Sequence, residues 1–94
     1  MLVERSELTV KPGTEEEFHT AITEKGTAIL QSVDGVLSVQ LGRGVENPLK
    51  FMLLVGWRSL EAHTAYAGTP QSIEIRGIMG PYVTGGATEH FELQ

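Results

Sequence analysis

The chain contains no cysteine, which excludes disulfides, a thiolate nucleophile and a zinc–thiolate site. It has no cluster of basic residues. Arg5, Lys11, Lys25, Arg43, Lys50, Arg58 and Arg76 are scattered and the net charge is -5, so nothing marks a nucleic-acid surface. No apolar run is long enough to cross a membrane, and the first ten residues carry Glu4, Arg5 and Glu7 where a signal peptide would be apolar. No repeat, linker or low-complexity tract interrupts it. Metal-ligand spacings are missing too, because the three histidines lie far apart and the carboxylates cluster on what reads as solvated surface. Gly42-Arg43-Gly44 falls between strands and opens no helix, so it is not a phosphate-binding loop. These absences leave a single small domain over residues 1–94, expected in the cytoplasm, with no metal, no cofactor, no nucleic acid and no membrane partner.

What is present centres on Phe51 to Trp57, which is apolar without alternation. A strand with one wet face alternates, whereas an unbroken apolar run argues burial on both faces. The helical patterns in this chain can cover one face of a small sheet. A second copy of the chain is the simplest cover for the other, so a homodimer is expected.

Leu2 to Val10 reads as a first strand with a polar middle, followed by a turn at Lys11-Pro12-Gly13. Thr14 and Glu17 match a capping box, and Phe18, Ala21, Ile22, Ile29 and Val33 keep a helical period up to Asp34-Gly35. Val36 to Leu41 is a second strand with Leu37, Val39 and Leu41 on one face, and Leu49 to Trp57 is the third. Ser59 caps a short helix to Ala67, and Thr69-Pro70 starts another that stops at Gly80-Pro81. Tyr82 to Gly86 reads as loop and Ala87 to Leu93 as a last strand. The order β-α-β-β-α-β implies an α+β, ferredoxin-like fold: a four-stranded antiparallel sheet with its helices on one face.

Val10-Lys11-Pro12-Gly13, Gly35-Val36-Leu37, the run Leu54 to His63 with its Trp-x-Ser-x-Glu-x-His spacing, Ile78 to Tyr82 and Glu89-His90-Phe91 resemble the antibiotic biosynthesis monooxygenase family. The resemblance runs over nearly the whole chain. It implies a dimeric α+β barrel, in which two sheets pack together and a substrate cavity lies between each sheet and its helices. The haem-degrading branch of that family carries a histidine, a tryptophan and an asparagine where this chain has Arg76, Tyr66 and, nearby, Ser6. Haem degradation is therefore not expected, and Arg76 is free to meet an acidic partner.

Two histidines are candidates for acid–base chemistry, since imidazole titrates near neutrality and can take a proton from a phenol or quinol. His63 lies on the second helical region, where it either faces the cavity or anchors the helix. His90 alternates with Phe91 on the last strand, so if Phe91 meets the partner sheet, His90 faces the helices and can join His63. A satisfied histidine on an edge strand is the plainer alternative. Trp57, Tyr66 and Tyr82 are candidates to shape a pocket for a planar substrate, although Trp57 is more simply read as core. The polar stretch Glu4-Arg5-Ser6 needs partners, either in the cavity or in an interfacial ion pair. The expectation is a cofactor-independent monooxygenase acting with dioxygen on a quinol, an anthrone or a related aromatic, with His63 and His90 as base and oxyanion partner. Trp57, Tyr66, Tyr82, Arg76 and Ser6 would contact the substrate. The alternative is a non-catalytic dimer that binds a small hydrophobic ligand or a protein.

Overall fold

A computed structural model describes all 94 residues. Strand β1 (Leu2–Val10) lies at the centre of a four-stranded sheet of order β2-β3-β1-β4, in which every pair is antiparallel. Its neighbours are β3 (Lys50–Trp57) and β4 (Val83–Glu92), and β2 (Val36–Arg43) extends the β3 edge. All the helices cover one face, as the β-α-β-β-α-β order requires. The first helical region is α1 (Glu15–Ala21), a π-helical turn (Ile22–Gly26) and α2 (Thr27–Gln31); the second is α3 (Leu60–Tyr66) and α4 (Pro70–Met79). None of these helices is long and apolar enough to cross a membrane.

The π turn has a physical reason. Phe18, Ile22, Gly26 and Leu30 are the buried positions, spaced four apart, which is wider than the α-helical period of about 3.6 residues. A stripe with that spacing drifts around a regular helix, and one wider turn takes up the drift. Gly26 leaves room at this point, because a Cβ there would stand 3.1 Å from Ile22 Cδ1. Gly35, with φ of 92°, ends the region in a conformation that other residues adopt only with strain.

Caps form where hydroxyls precede the second helical region. Ser59 accepts from the Ala62 N–H at 3.1 Å and Thr69 from the Ser72 N–H at 3.2 Å. The expected capping box at Thr14 does not form. The Thr14 hydroxyl instead donates to the Lys11 carbonyl at 2.7 Å, closing the preceding turn, and the Glu15 carboxylate takes the Gly13 N–H.

Two further expectations are corrected. Leu37 does not share a face with Val39 and Leu41, because a bulge between Val36 and Ser38 leaves it 61% exposed. The segment from Val83 to Gly86 is strand, not loop. Gly85 pairs with Thr9 and Gly86 with Leu8, and the ladder to β1 overrides glycine's weak strand preference. Gly86 also lies so close to the Glu7 carbonyl that a side chain would not fit.

The core forms where helices meet β3. Phe51, Leu53, Val55 and Trp57 are buried on that side, while Met52 and Leu54 point to the other face and stay half-exposed. Leu30, Val33 and Ile75 cover Leu53, Val55 and Trp57, and Val10, Phe18 and Ile22 cover Phe51. The two halves do not close completely, and the gap between them is where the site lies.

Candidate functional site

Strand register assembles the site before any helix contributes. On β1, Glu4 and Ser6 are two apart and so face the same side, toward the helices. Glu4 stands opposite His90 and Ser6 opposite Thr88 on β4; on the other flank they stand opposite Val55 and Leu53 of β3. A row of polar groups therefore crosses the middle of a sheet whose β3 side is aliphatic. Helix α3 then sets His63 over Trp57, with the two rings stacked at 4.7 Å and 20°.

Glu4 is the hub. Its Oε1 accepts from Trp57 Nε1–H at 2.9 Å and lies 3.3 Å from His63 Nε2, and its Oε2 accepts from the Ser6 hydroxyl at 2.8 Å. Ser6 Oγ is 3.0 Å from Thr88 Oγ1. Since the single Ser6 proton goes to Glu4, the Thr88 hydroxyl donates to Ser6. The other nitrogen of His63, Nδ1, lies 2.6 Å from His90 Nε2. Because a carboxylate only accepts, the tautomer that suits Glu4 carries the His63 proton on Nε2, and in it Nδ1 accepts from His90 Nε2–H. His63 thus separates Glu4 from His90. The three groups form a line and do not converge on a point, so they do not surround a site for one metal ion.

A cavity of about 500 Å³ opens beside this row. Leu8, Leu30, Leu53, Val55, Ile75, Met79 and Val83 make most of its wall. Glu4, Ser6 and Thr88 face it from the sheet, and Tyr66, Ser72 and Arg76 face it from the helices. Arg76 Nη2 approaches Ser72 Oγ at 3.4 Å, and Arg76 is the one arginine of the chain without a carboxylate within ion-pair distance. Burial pushes the Tyr66 phenol above its ordinary value, against a smaller opposing effect of Ser72, and the weaker effects of the Glu4 and Arg76 charges act in opposite directions. Tyr66 therefore faces the cavity as a neutral hydroxyl.

The expected site residues divide accordingly. Tyr66, Arg76 and Ser6 line the cavity. His63 and His90 meet, but neither opens on it. Trp57 is buried beneath them, with 1% exposure, as core. Tyr82, expected at the pocket mouth, lies elsewhere: it packs edge-on against Phe18 at 6.0 Å and borders a separate surface hollow of about 580 Å³ among Glu16, Glu17, Glu24 and Lys25. That position follows from Val83 already belonging to β4, which draws Tyr82 to the far end of the sheet. Thr88 is not among the expected residues, and Glu4 enters the expectation only as part of the polar stretch Glu4-Arg5-Ser6. The available signal was the polar pair Glu4 and Ser6 at strand spacing on a strand between two others, where an unpartnered carboxylate is not tolerated.

A small α+β domain with a ferredoxin-like sheet, helices on one face and a cavity between the layers defines the class of protein. The family model for antibiotic biosynthesis monooxygenase matches residues 1–76, and the chain belongs to that family. Among curated proteins it is similar to YczJ of Bacillus subtilis (strain 168), an uncharacterised protein 31% identical over 94 residues, with 98% of each chain covered. A crystal structure from Bordetella bronchiseptica under the same family name superposes with a TM-score of 0.92 at 21% identity, covering 99% of this chain and 96% of that one. One from Nitrosomonas europaea gives 0.82 at 16% identity, covering 98% and 97%. At these identities the solved structures establish the fold. Family membership assigns a monooxygenase-like role in general terms and no substrate.

Proposed function

We propose that the chain is a cofactor-independent monooxygenase acting on a quinol, an anthrone or a related electron-rich aromatic. The observation that carries this reading is the cavity of about 500 Å³, aliphatic over most of its wall, with Glu4, backed by His63 and His90, on one side and Tyr66 and Arg76 on the other. Pockets for small organic ligands usually measure about 300–1,000 Å³, with few polar groups set among apolar ones. An aromatic ring suits the aliphatic wall, and Arg76 suits the negative charge that appears on the substrate oxygen when a proton leaves. Tyr66 offers its hydroxyl to the same oxygen.

For an anthrone the chemistry balances as follows. A methylene proton passes to the protein, and the resulting carbanion adds dioxygen to form a C–O bond and a peroxide. Loss of the second proton from the same carbon breaks the O–O bond, leaving a carbonyl and one molecule of water. The protein binds, orients, excludes water and moves protons, while the substrate itself supplies the electrons. Oxygen uptake by the purified chain with a panel of quinols and anthrones, repeated under ¹⁸O₂, tests this. The expected result is one labelled oxygen atom in the product. Absence of uptake across the panel overturns it.

The second reading, a non-catalytic module binding a small hydrophobic ligand, is favoured by one observation: both nitrogens of His63 already have partners within the protein. A homodimer belongs to either reading. The sheet face away from the helices carries Val3, Met52, Leu54, Phe91 and Leu93, with Phe91 45% and Leu93 56% exposed in the single chain. A second copy laid on that face gives the barrel that the family resemblance implies. A single domain over residues 1–94 and a cytoplasmic location complete the proposal, the latter in keeping with the cysteine-free composition.

A further inference from the structure

We infer that Glu4, and neither histidine, is the group that takes the substrate proton, and that Trp57, His63 and His90 act as positioning residues that hold its carboxylate toward the cavity. This inference rests on the oxygenase reading for its substrate class and on the geometry for everything else.

The first argument is a count of lone pairs. A carboxylate has about four acceptor sites. On Oε1 of Glu4, Trp57 Nε1–H occupies one and His63 Nε2 stands 3.3 Å away, closing off that oxygen; on Oε2, Ser6 occupies one. One site is left, on Oε2. Glu4 lines the cavity, and its side chain is only 13% exposed, so a substrate in the cavity is the partner positioned to use it. The second argument is what the histidines lack. His63 has Nε2 on Glu4, Nδ1 on His90 and one ring face on Trp57, and neither imidazole is part of the cavity wall. A base must come within hydrogen-bond reach of the proton it removes, and here only the carboxylate does.

The donors around Glu4 also have a fixed direction. Indole N–H can only donate, so Trp57 pins Oε1, and the His90–His63 pair packs His63 Nε2 against the same oxygen at 3.3 Å. Thr88 donates to Ser6 and Ser6 to Oε2, which aligns that oxygen as well. On the facing wall, Arg76 and the neutral Tyr66 hydroxyl stand ready to hold the enolate or phenolate oxygen that forms as Glu4 takes the proton. The proton on Glu4 then returns to the hydroxide released when the O–O bond breaks, which makes water and restores the carboxylate.

The test separates proton abstraction from oxygenation. Under anaerobic conditions in D₂O, NMR follows exchange of the methylene protons of anthrone with the intact protein, and oxygen uptake is measured in parallel. Wild type is expected to accelerate exchange. Glu4→Gln keeps the shape and an acceptor for Trp57, and should lower exchange by about 100-fold or more with little change in anthrone affinity. Glu4→Asp should retain part of the rate. His63→Gln, whose amide can still donate to Glu4, should recover most of what His63→Ala loses, an outcome that a histidine acting as the base would not give. Exchange without oxygen uptake would leave Glu4 as the base and refute the oxygenase reading. No exchange with wild type, or wild-type exchange in a folded Glu4→Gln variant, overturns the inference.

Discussion

The two faces of the sheet carry the same strands and opposite chemistry. Toward the helices, β1 presents Glu4, Ser6, Leu8 and Val10; away from them it presents Val3, Arg5, Glu7 and Thr9. Both faces hold charges, yet they treat them differently. On the covered face Glu4 is one carboxylate held by donors from β3 and β1 itself, with the His63 ring of α3 against it. On the open face the charges form a row of alternating sign: Lys50–Glu7 at 3.4 Å, Glu7–Arg5 at 3.6 Å and Arg5–Glu89 at 3.3 Å. Glu89, which shares a face with Phe91 and would be an uncompensated charge there, is answered by the directly opposed Arg5. The lesson is that a charge among apolar groups is tolerated through directional hydrogen bonds in one case and through counter-charges in the other. The first arrangement leaves a carboxylate on the wall of the largely aliphatic cavity.

The strongest way to break the comparison is to put a charge on each face of β3. Leu53 is 4% exposed beneath the helices, so Leu53→Asp buries an unpaired carboxylate, a cost comparable with the whole stability of about 5–15 kcal/mol. No soluble folded protein is expected. Met52→Asp, one residue away, should fold and shed the partner copy, and sedimentation at low micromolar concentration should move from dimer to monomer. A wild-type chain that sediments there as a stable folded monomer would show that the open face needs no cover.

A smaller effect sharpens the contrast between the two ways of holding charge. Trp57→Phe keeps most of the core volume and removes the indole donor to Glu4. Denaturant unfolding should show a loss of about 1–3 kcal/mol, as for other buried hydrogen bonds to a charged group. Glu89→Gln on the open face removes an exposed ion pair and should cost less than about 1 kcal/mol. Equal losses would erase the distinction drawn between the faces.

The smallest effect concerns Tyr66. Its phenol is raised above the ordinary value of about 10 by burial, so the folded chain holds that proton more tightly than the unfolded chain does. The corresponding stability is fully present below about pH 10 and is lost as pH climbs through the higher folded value. Tyr66→Phe should flatten this alkaline slope in thermal unfolding and leave stability near neutrality almost unchanged. A slope of the same steepness in the variant would assign it to another group.

Local patterns of the sequence were enough to determine the order of elements, the caps at Ser59 and Thr69, the break at Asp34-Gly35 and the apolar β3, because hydroxyls, glycines and hydrophobic runs act on their own few neighbours. The one-sided covering of the sheet followed from those elements and the short connections between them. Where a distant strand decides, the residues alone misled. Gly85 and Gly86 read as loop but complete a ladder with β1, and Leu37 leaves its face at a bulge set by pairing with β3. The site divides in the same way. His63 and His90 were legible as reactive residue types, and alternation along the last strand turned His90 toward the helices on the condition that Phe91 met the partner sheet. Their 2.6 Å contact, their exclusion from the cavity and the central position of Glu4 depend on strand register across 86 residues of chain, from Glu4 to His90, and on the seating of α3 over Trp57. Sequence chose the chemical groups; tertiary structure alone decided which of them faces the cavity, because that depends on which lone pairs the neighbours leave free.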